Sequence, residues 1–395
     1  MDNKKKLIKK LTTLIIITGT IYACSYVLIS GLLNELVNEF NLTGASEGLA
    51  PSLLSFGMMV AVIVFPALQG RIRKMTMIFI SGIVLAVCVF FMGISKSWIM
   101  FAIFTCIMGL AAGGIDTFSN AIIIDMYPED SSKPMGLFHG FYGLGSLIMP
   151  LVVTGLLTFT IWRSAYYIVA ILMIIAMVFY FFFKRKMDKA GGIVESQEKK
   201  LTIKDIGNYL KEKKNIIMLV ISITLAMAQM GVTSWIARYM AVQYNMESLG
   251  AICITLYWIF ATVNRFLMPK IKIKGIKLLL YGSALFAIFL LIGIFSGSPV
   301  VMSIMVSLCG LVSGHFCPVT FMVAAEDYKE ATTLTTSINS LAMNIGRVLI
   351  PIIIGAVKAG TSMNFGMVMT VIATVLGVVA CLVFMAIKKK EAKEA

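Results

Sequence analysis

Charged side chains are scarce in this chain. Asp, Glu, Lys and Arg make up 13% of its 395 residues, while apolar types make up 59%. Soluble domains run at about 25% charged and about 45–50% apolar, so the scarcity excludes a soluble globular protein and points to an integral membrane one. Acids are fewer still, 19 against 34 basic residues, for a net charge of +15. In a soluble chain that excess would suggest a nucleic-acid partner; here its meaning depends on where the charges sit. The seven cysteines (Cys24, Cys88, Cys106, Cys253, Cys309, Cys317 and Cys381) lack the short spacing of a zinc site. All fall inside apolar runs, where a thiol behaves as a small hydrophobe. No segment alternates polar and apolar residues with the period of two that a membrane barrel strand requires. Gly109, Gly113, Gly140, Gly143 and Gly145 follow no strand, so they read as close helix packing rather than a nucleotide-binding loop.

What the chain does have is long apolar runs. A bilayer core of about 30 Å needs about 20 apolar residues per helix. Candidate spans lie near 11–33, 48–69, 75–95, 97–124, 134–158, 162–183, 215–240, 248–268, 277–296, 299–325, 332–357 and 363–387. The first is too long for a signal-peptide core and lacks a small-x-small cleavage site, so it is read as helix one. Twenty-eight of the 34 Lys and Arg residues fall on links at the N-terminal side, which predicts that both termini are cytoplasmic. The +15 is then mostly topology, and no nucleic-acid partner is expected. The longest of these links, 184–214, divides the chain into bundles at 1–183 and 215–395. It carries Leu201, Ile203, Ile206, Tyr209 and Leu210 at helical spacing among lysines, the pattern of a helix lying on a membrane surface.

The two halves echo each other. At an offset of 201, Gly109, Leu110 and Gly113 fall on Gly310, Leu311 and Gly314; Asp125, Tyr127 and Glu129 on Glu326, Tyr328 and Glu330; Gly145 and Pro150 on Gly346 and Pro351. Phe40-Asn41 and Pro66 echo Tyr244-Asn245 and Pro269. The expected fold is an all-α membrane protein of twelve transmembrane helices in two six-helix pseudo-repeats.

This architecture resembles the major facilitator superfamily. Leu68, Arg71 and Lys74 match its loop signature between helices two and three, although Gly70 stands where the signature has aspartate. Helices four and five carry Gly113-Gly114-Ile115-Asp116-Thr117-Phe118-Ser119-Asn120, then Leu137-Phe138-His139-Gly140-Phe141-Tyr142-Gly143-Leu144-Gly145. Together with Trp235, Tyr239 and Asn264-Arg265, these are similar to the fucose–galactose–glucose proton symporter branch. Where that branch often has a glutamate six residues before the helix-seven tryptophan, this chain has Gln229, and helix one contains no acid. The resemblance implies a monomeric, multi-pass transporter of the cell membrane, not an enzyme, importing a sugar by alternating access. It needs no cofactor beyond a proton gradient, sodium being the alternative coupling ion.

Asp116 lies 12 residues before Pro128, hence about 18 Å into the membrane, where an ionised carboxylate is costly. It is read as the proton carrier, with His139 and His315 as further proton-coupling groups and a salt-bridge acid as the bland reading of Asp116. Asn120, His139, Gln229, Trp235, Tyr26, Asn339, Asn344 and Arg347 are the candidate solute-binding residues. For the histidines and aromatics, core packing is the bland alternative. Arg347 needs a partner in Asp116, a helix end or an anionic solute, which keeps an organic anion or acidic sugar open as substrate. Arg71, Asp125, Arg265 and Glu326 are read as gating residues. A transport-dead membrane sensor is a third reading, which the short soluble segments disfavour.

Overall fold

An apolar run in lipid satisfies its backbone polar groups by closing them on itself as a helix. The computed structural model describes residues 2–68, 71–127, 132–193, 203–268, 271–273, 275–328 and 332–394. They form α1 (Asp2–Gly31), α2 (Leu33–Phe40), α3 (Ala45–Leu68), α4 (Lys74–Ile94), α5 (Trp98–Met126), α6 (Ser132–Leu157), α7 (Arg163–Lys189), α8 (Ile203–Lys211), α9 (Lys213–Tyr244), α10 (Glu247–Leu267), α11 (Ile276–Phe295), α12 (Pro299–Ser313), α13 (Phe316–Ala325), α14 (Thr332–Gly360) and α15 (Met363–Glu394). There is no strand among the described residues. Among the described residues twelve segments are long and apolar enough to cross a membrane, with α12 and α13 together making the tenth. The short α2 and the break between α12 and α13 were not expected from hydropathy, which registers length and greasiness but not a local change of direction.

Two compact units result, one of residues 1–32 and 53–200, the other of 33–52 and 201–395. In the first, α1 packs on α6 and α7, and α4 on α5 and α7. In the second, α9 packs on α14 and α15, and α11 on α12 and α15, which is the same wiring. The repeat extends to single residues. Ser97 caps α5 by accepting from Met100 N at 3.3 Å, and Ser298, 201 positions on, caps α12 by accepting from Val301 N at 3.4 Å. A methyl group on Gly109 would run into the Leu54 carbonyl, and one on Gly310 into that of Tyr257. Likewise Gly145 meets the Thr20 carbonyl and Gly346 that of Ile223. Small residues at these positions let the backbones touch, which is how helices associate where water supplies no driving force. Tyr127 Oη lies 3.0 Å from Thr12 Oγ1, and its mate Tyr328 Oη accepts from Asn215 Nδ2 at 2.6 Å, tying the first helix of each unit to the end of its fourth. Asn41 and Asn245, the echoed pair, have φ of 50° and 56°, left-handed stops that asparagine tolerates after a helix. Of the remaining echoed positions, Glu129, Pro269 and Glu330 lie outside the described residues, as do Pro128, Gln69 and Gly70 of the loop motif, and Leu201 of the link.

The repeat fails in helix ten. Helix four is continuous through α5, whereas its mate stops at Ser313 and restarts at Phe316. Pro318 is the cause: it lacks the N–H that would bond to the Gly314 carbonyl four residues back, and its position in the first half has Thr117.

Candidate functional site

Asp116 sits well inside the 29-residue α5 and is half-buried. Asn120, one turn on, donates from Nδ2 to the Asp116 carbonyl at 2.9 Å and reaches the carboxylate Oδ1 at 3.5 Å. That leaves Asn120 Oδ1 buried without a hydrogen-bond partner among the described residues. Most buried acceptors have a partner, which sets this one apart from its neighbours on the helix backbone. Tyr22 of α1 stands close enough to Asp116, Tyr26 and Tyr142 to interact with each, and its ring centroid is 5.2 Å from that of Tyr142 on α6. One carboxylate, one amide and three phenols from α1, α5 and α6 thus converge within the first unit. His139 is exposed and shares with Tyr142 a face of α6, three residues apart.

The second unit uses its polar residues differently. At the break, Arg265 Nε donates to the Gly314 carbonyl at 3.1 Å, replacing the proton that Pro318 lacks. Gln229 Nε2 donates to the Ser313 carbonyl at 2.8 Å, and Tyr257 Oη pairs with Ser313 Oγ at 2.7 Å. His315, 2% exposed, has Nδ1 3.1 Å from Asn264 Oδ1 and Nε2 3.3 Å from the Leu278 carbonyl. Both ring nitrogens are therefore engaged inside this unit, and the expectation that His315 joins Asp116 in proton coupling gives way to a histidine that holds helix ten to its neighbours.

Other expectations are corrected in the same way. Trp235 is fully buried and donates from Nε1 to the Pro351 carbonyl at 3.2 Å, so it packs rather than stacks on a ligand. Asn339 is fully buried and donates to Tyr209 Oη at 3.1 Å and the Thr335 carbonyl at 2.8 Å, while its Oδ1 accepts from Ser222 at 2.6 Å. Asn344 is 2% exposed and accepts from Arg347 Nη1 at 3.3 Å. Gln229 is occupied at the break, whereas Tyr26 neighbours Tyr22, which itself interacts with Asp116. Of the gating set, Asp125 is paired with Lys74 at 2.8 Å, both side chains nearly sealed from solvent, while Arg71 is exposed. Glu326 pairs with Lys388 at 3.0 Å, and Arg265 is spent on the broken helix. Asp327, beside Glu326, is raised by partial burial but lowered more by the bonds and charges of Lys214 and Lys388, which hold its carboxyl below the ordinary aspartate value.

Sequence reasoning missed a buried ion cluster. Glu47 in the first turn of α3 accepts from Lys358 Nζ at 2.5 and 2.6 Å and from Arg238 Nε at 3.3 Å. Arg238 Nη1 also donates to Asn34 Oδ1 at 3.2 Å. A signal was present: Lys358 and Arg238 are two of the few cations outside the basic links, and cations at the disfavoured end need a structural reason. Arg163 is another, and it donates to the Gly93 and Ser95 carbonyls at 3.0 and 2.6 Å.

Comparison with known proteins agrees with this architecture. Residues 14–351 match the family model described as the Major Facilitator Superfamily. Major facilitator superfamily domain-containing protein 4A of Danio rerio is 29% identical over 89 residues, which is 22% of this chain and 17% of that protein, so the match spans about a sixth of the relative's length. A bacterial homolog of the human lysosomal transporter Spinster, solved inward-facing and occupied, superposes with a TM-score of 0.77 at 13% identity, covering 96% of this chain and 97% of its own. The nucleoside transporter NupG, solved as a point mutant, gives 0.75 at 16% identity over 95% and 99%. These structures share the fold of this chain. Twelve apolar helices, a duplicated wiring and a family match over most of its length show that the chain belongs to the Major Facilitator Superfamily, a family of membrane transporters rather than enzymes.

Proposed function

We propose that the protein is a proton-coupled symporter that imports a sugar by alternating access, working as a monomer in the cell membrane with both termini in the cytoplasm. The observation that carries this reading is the Asp116 cluster: a carboxylate well inside the span, facing Tyr22, which in turn neighbours Tyr26 and Tyr142, next to an amide oxygen that has no partner among the described residues. A protonated Asp116 is neutral and can donate to a solute hydroxyl, whereas the ionised form only accepts. The charge is tolerable where water reaches it and costly where it does not, so loading and release of the proton follow access to either side. Asn120 Oδ1 supplies an acceptor for a second hydroxyl, and His139, as a donor and an acceptor at once, suits a third. The phenols offer both hydrogen bonds and faces for a sugar ring. Gln229, Trp235, Asn339 and Asn344 leave the solute-binding set, and His315 the proton-coupling set, because each makes hydrogen bonds within the protein.

Uptake of labelled hexoses into proteoliposomes under an imposed pH gradient tests this. Asp116→Asn is expected to abolish gradient-driven accumulation while retaining exchange of solute across the membrane. Accumulation at the native level by that variant overturns the carrier assignment. A second reading, transport of an organic anion, is favoured by Arg347, a guanidinium well inside α14. Competition of uptake by a uronate but not by neutral hexoses selects it.

A further inference from the structure

Helix α8 belongs to the link between the repeats and is too short to span a membrane, yet it is not a passive spacer. It is strongly two-sided: Ile206 and Leu210, one turn apart, share a face, with Tyr209 at its edge. Tyr209 is 2% exposed, while Ile206 and Leu210 are 36% and 40% exposed. Burial raises the Tyr209 phenol above its ordinary range, so it remains a neutral donor and acceptor. Tyr209 enters the second unit at a defined slot. Its carbonyl accepts from Asn215 Nδ2 of α9 at 2.8 Å, its hydroxyl from Asn339 Nδ2 of α14 at 3.1 Å, and its ring centroid lies 5.3 Å from that of Tyr328. The repeat explains why the slot exists. Asn339 bonds to Ser222 in the second unit, whereas at the corresponding place in the first Phe138 packs its ring against the backbone of Gly19. Where the first unit closes this place with hydrocarbon, the second leaves polar atoms that the link completes.

The other side of α8 is left with two aliphatic side chains beside exposed lysines. Lys211 and Lys213 flank the helix end, and Lys214 bonds to Glu391 at 3.4 Å, which brings the exposed Lys389 and Lys393 of the α15 end to the same region. Exposed acids here, such as Glu212 and the Glu391 that pairs with Lys214, are outnumbered by these lysines, and exposed aliphatics beside a net positive rim match the interface of a bilayer that carries negative headgroups.

We propose that α8 is a sensor of membrane charge: Ile206 and Leu210 insert among anionic phospholipids held by these lysines, and Tyr209 passes the occupancy of that surface to α9 and α14. The proposal does not depend on the solute carried. Its test uses the full chain in nanodiscs of phosphatidylcholine alone or mixed with phosphatidylglycerol. A nitroxide on Ile206→Cys, with the native cysteines replaced, is expected to be reached by oxygen and shielded from a water-soluble nickel chelate, more so in the anionic discs. Backbone hydrogen exchange at residues 334–340 of α14 is expected to slow about fivefold in those discs, the effect of one lysine–headgroup contact. Joint Lys211→Gln and Lys213→Gln substitution should erase the difference. Tyr209→Phe, which keeps the ring, should leave the nitroxide result intact and reduce the exchange difference. A label equally open to the nickel chelate in both lipids, exchange indifferent to lipid charge, or a full exchange difference retained by Tyr209→Phe would each overturn the proposal.

Discussion

Neutralising Glu47 should destabilise the protein more than removing either of its cations, and the geometry says by how much. Its side chain is 5% exposed, against 16% for Lys358 and 17% for Arg238. Lys358 Nζ also lies 5.6 Å above the Trp235 ring, so it is held on two sides. Removing one partner of a buried pair costs about 3–5 kcal/mol, chiefly because the opposite charge is left behind. Here two cations are left, but each keeps some contact with solvent, which places Glu47→Gln near the lower limit, about 3 kcal/mol. Lys358→Met leaves Glu47 with Arg238 and should cost about 2 kcal/mol, the value of a hydrogen bond to a charged group. The double variant removes the anion and one cation together. It should fall close to Lys358→Met alone, a coupling of about 2–3 kcal/mol. Unfolding can be followed with a thiol-reactive fluorophore, because all seven cysteines are free and Cys88, Cys253, Cys309 and Cys381 are buried until the fold opens. If the two single effects simply add, the cluster is not a coupled unit and the reasoning fails.

Two further perturbations separate local physics from fold. Burial, with help from the charge of Glu247 and against that of Arg238, raises the pKa of Glu35 on α2, so its ionised form is disfavoured in the folded protein. Its penalty is absent below the ordinary glutamate pKa of about 4.3 and grows as pH rises through the folded value. Glu35→Gln should therefore raise the unfolding midpoint at neutral pH and have little effect in acid; a pH-independent shift would assign the gain to packing. At the helix-ten break, Arg265→Met strands the Gly314 carbonyl, at about 1–3 kcal/mol. In a Pro318→Ala background the restored N–H can take that carbonyl, so the same substitution should cost measurably less. Equal costs in both backgrounds would show that Arg265 does not serve the break.

Much of the fold was legible because the membrane imposes simple demands. Hydropathy located all twelve spans to within a few residues at most ends, since an apolar run of sufficient length has few other structures available. The offset of 201 carried real geometry, from the serine caps to the glycine approaches, because those residues serve backbone contacts that side-chain drift elsewhere does not erase. The site was less legible. Asn120 lies against Asp116 one turn away, but a sequence does not say whether a polar residue in a membrane helix faces a solute or repairs the protein. Asn339 and Trp235 look like ligands by composition and are spent on Tyr209 and Pro351. Pro318 was the overlooked clue: once a proline removes a donor in mid-span, polar residues on adjacent helices have work to do on the backbone.

That distinction gives the two repeats different roles despite their common wiring. In the first unit helix four is unbroken, and Asp116 is left to interact with Tyr22 of α1 and with Asn120 one turn on. In the second unit the corresponding helix is interrupted, and Arg265, Gln229, Tyr257 and His315 are committed to holding its two pieces. A carboxylate that must change charge gains from a rigid helix, because its neighbours stay at fixed distances in both charge states. The interrupted helix is the reverse case: its freed carbonyl needs a donor from another helix, and leaving it unsatisfied would cost about 1–3 kcal/mol. The first unit thus carries its carboxylate on an unbroken helix and the second spends polar residues on an interrupted one, and proline at 318 against threonine at 117 is what interrupts it.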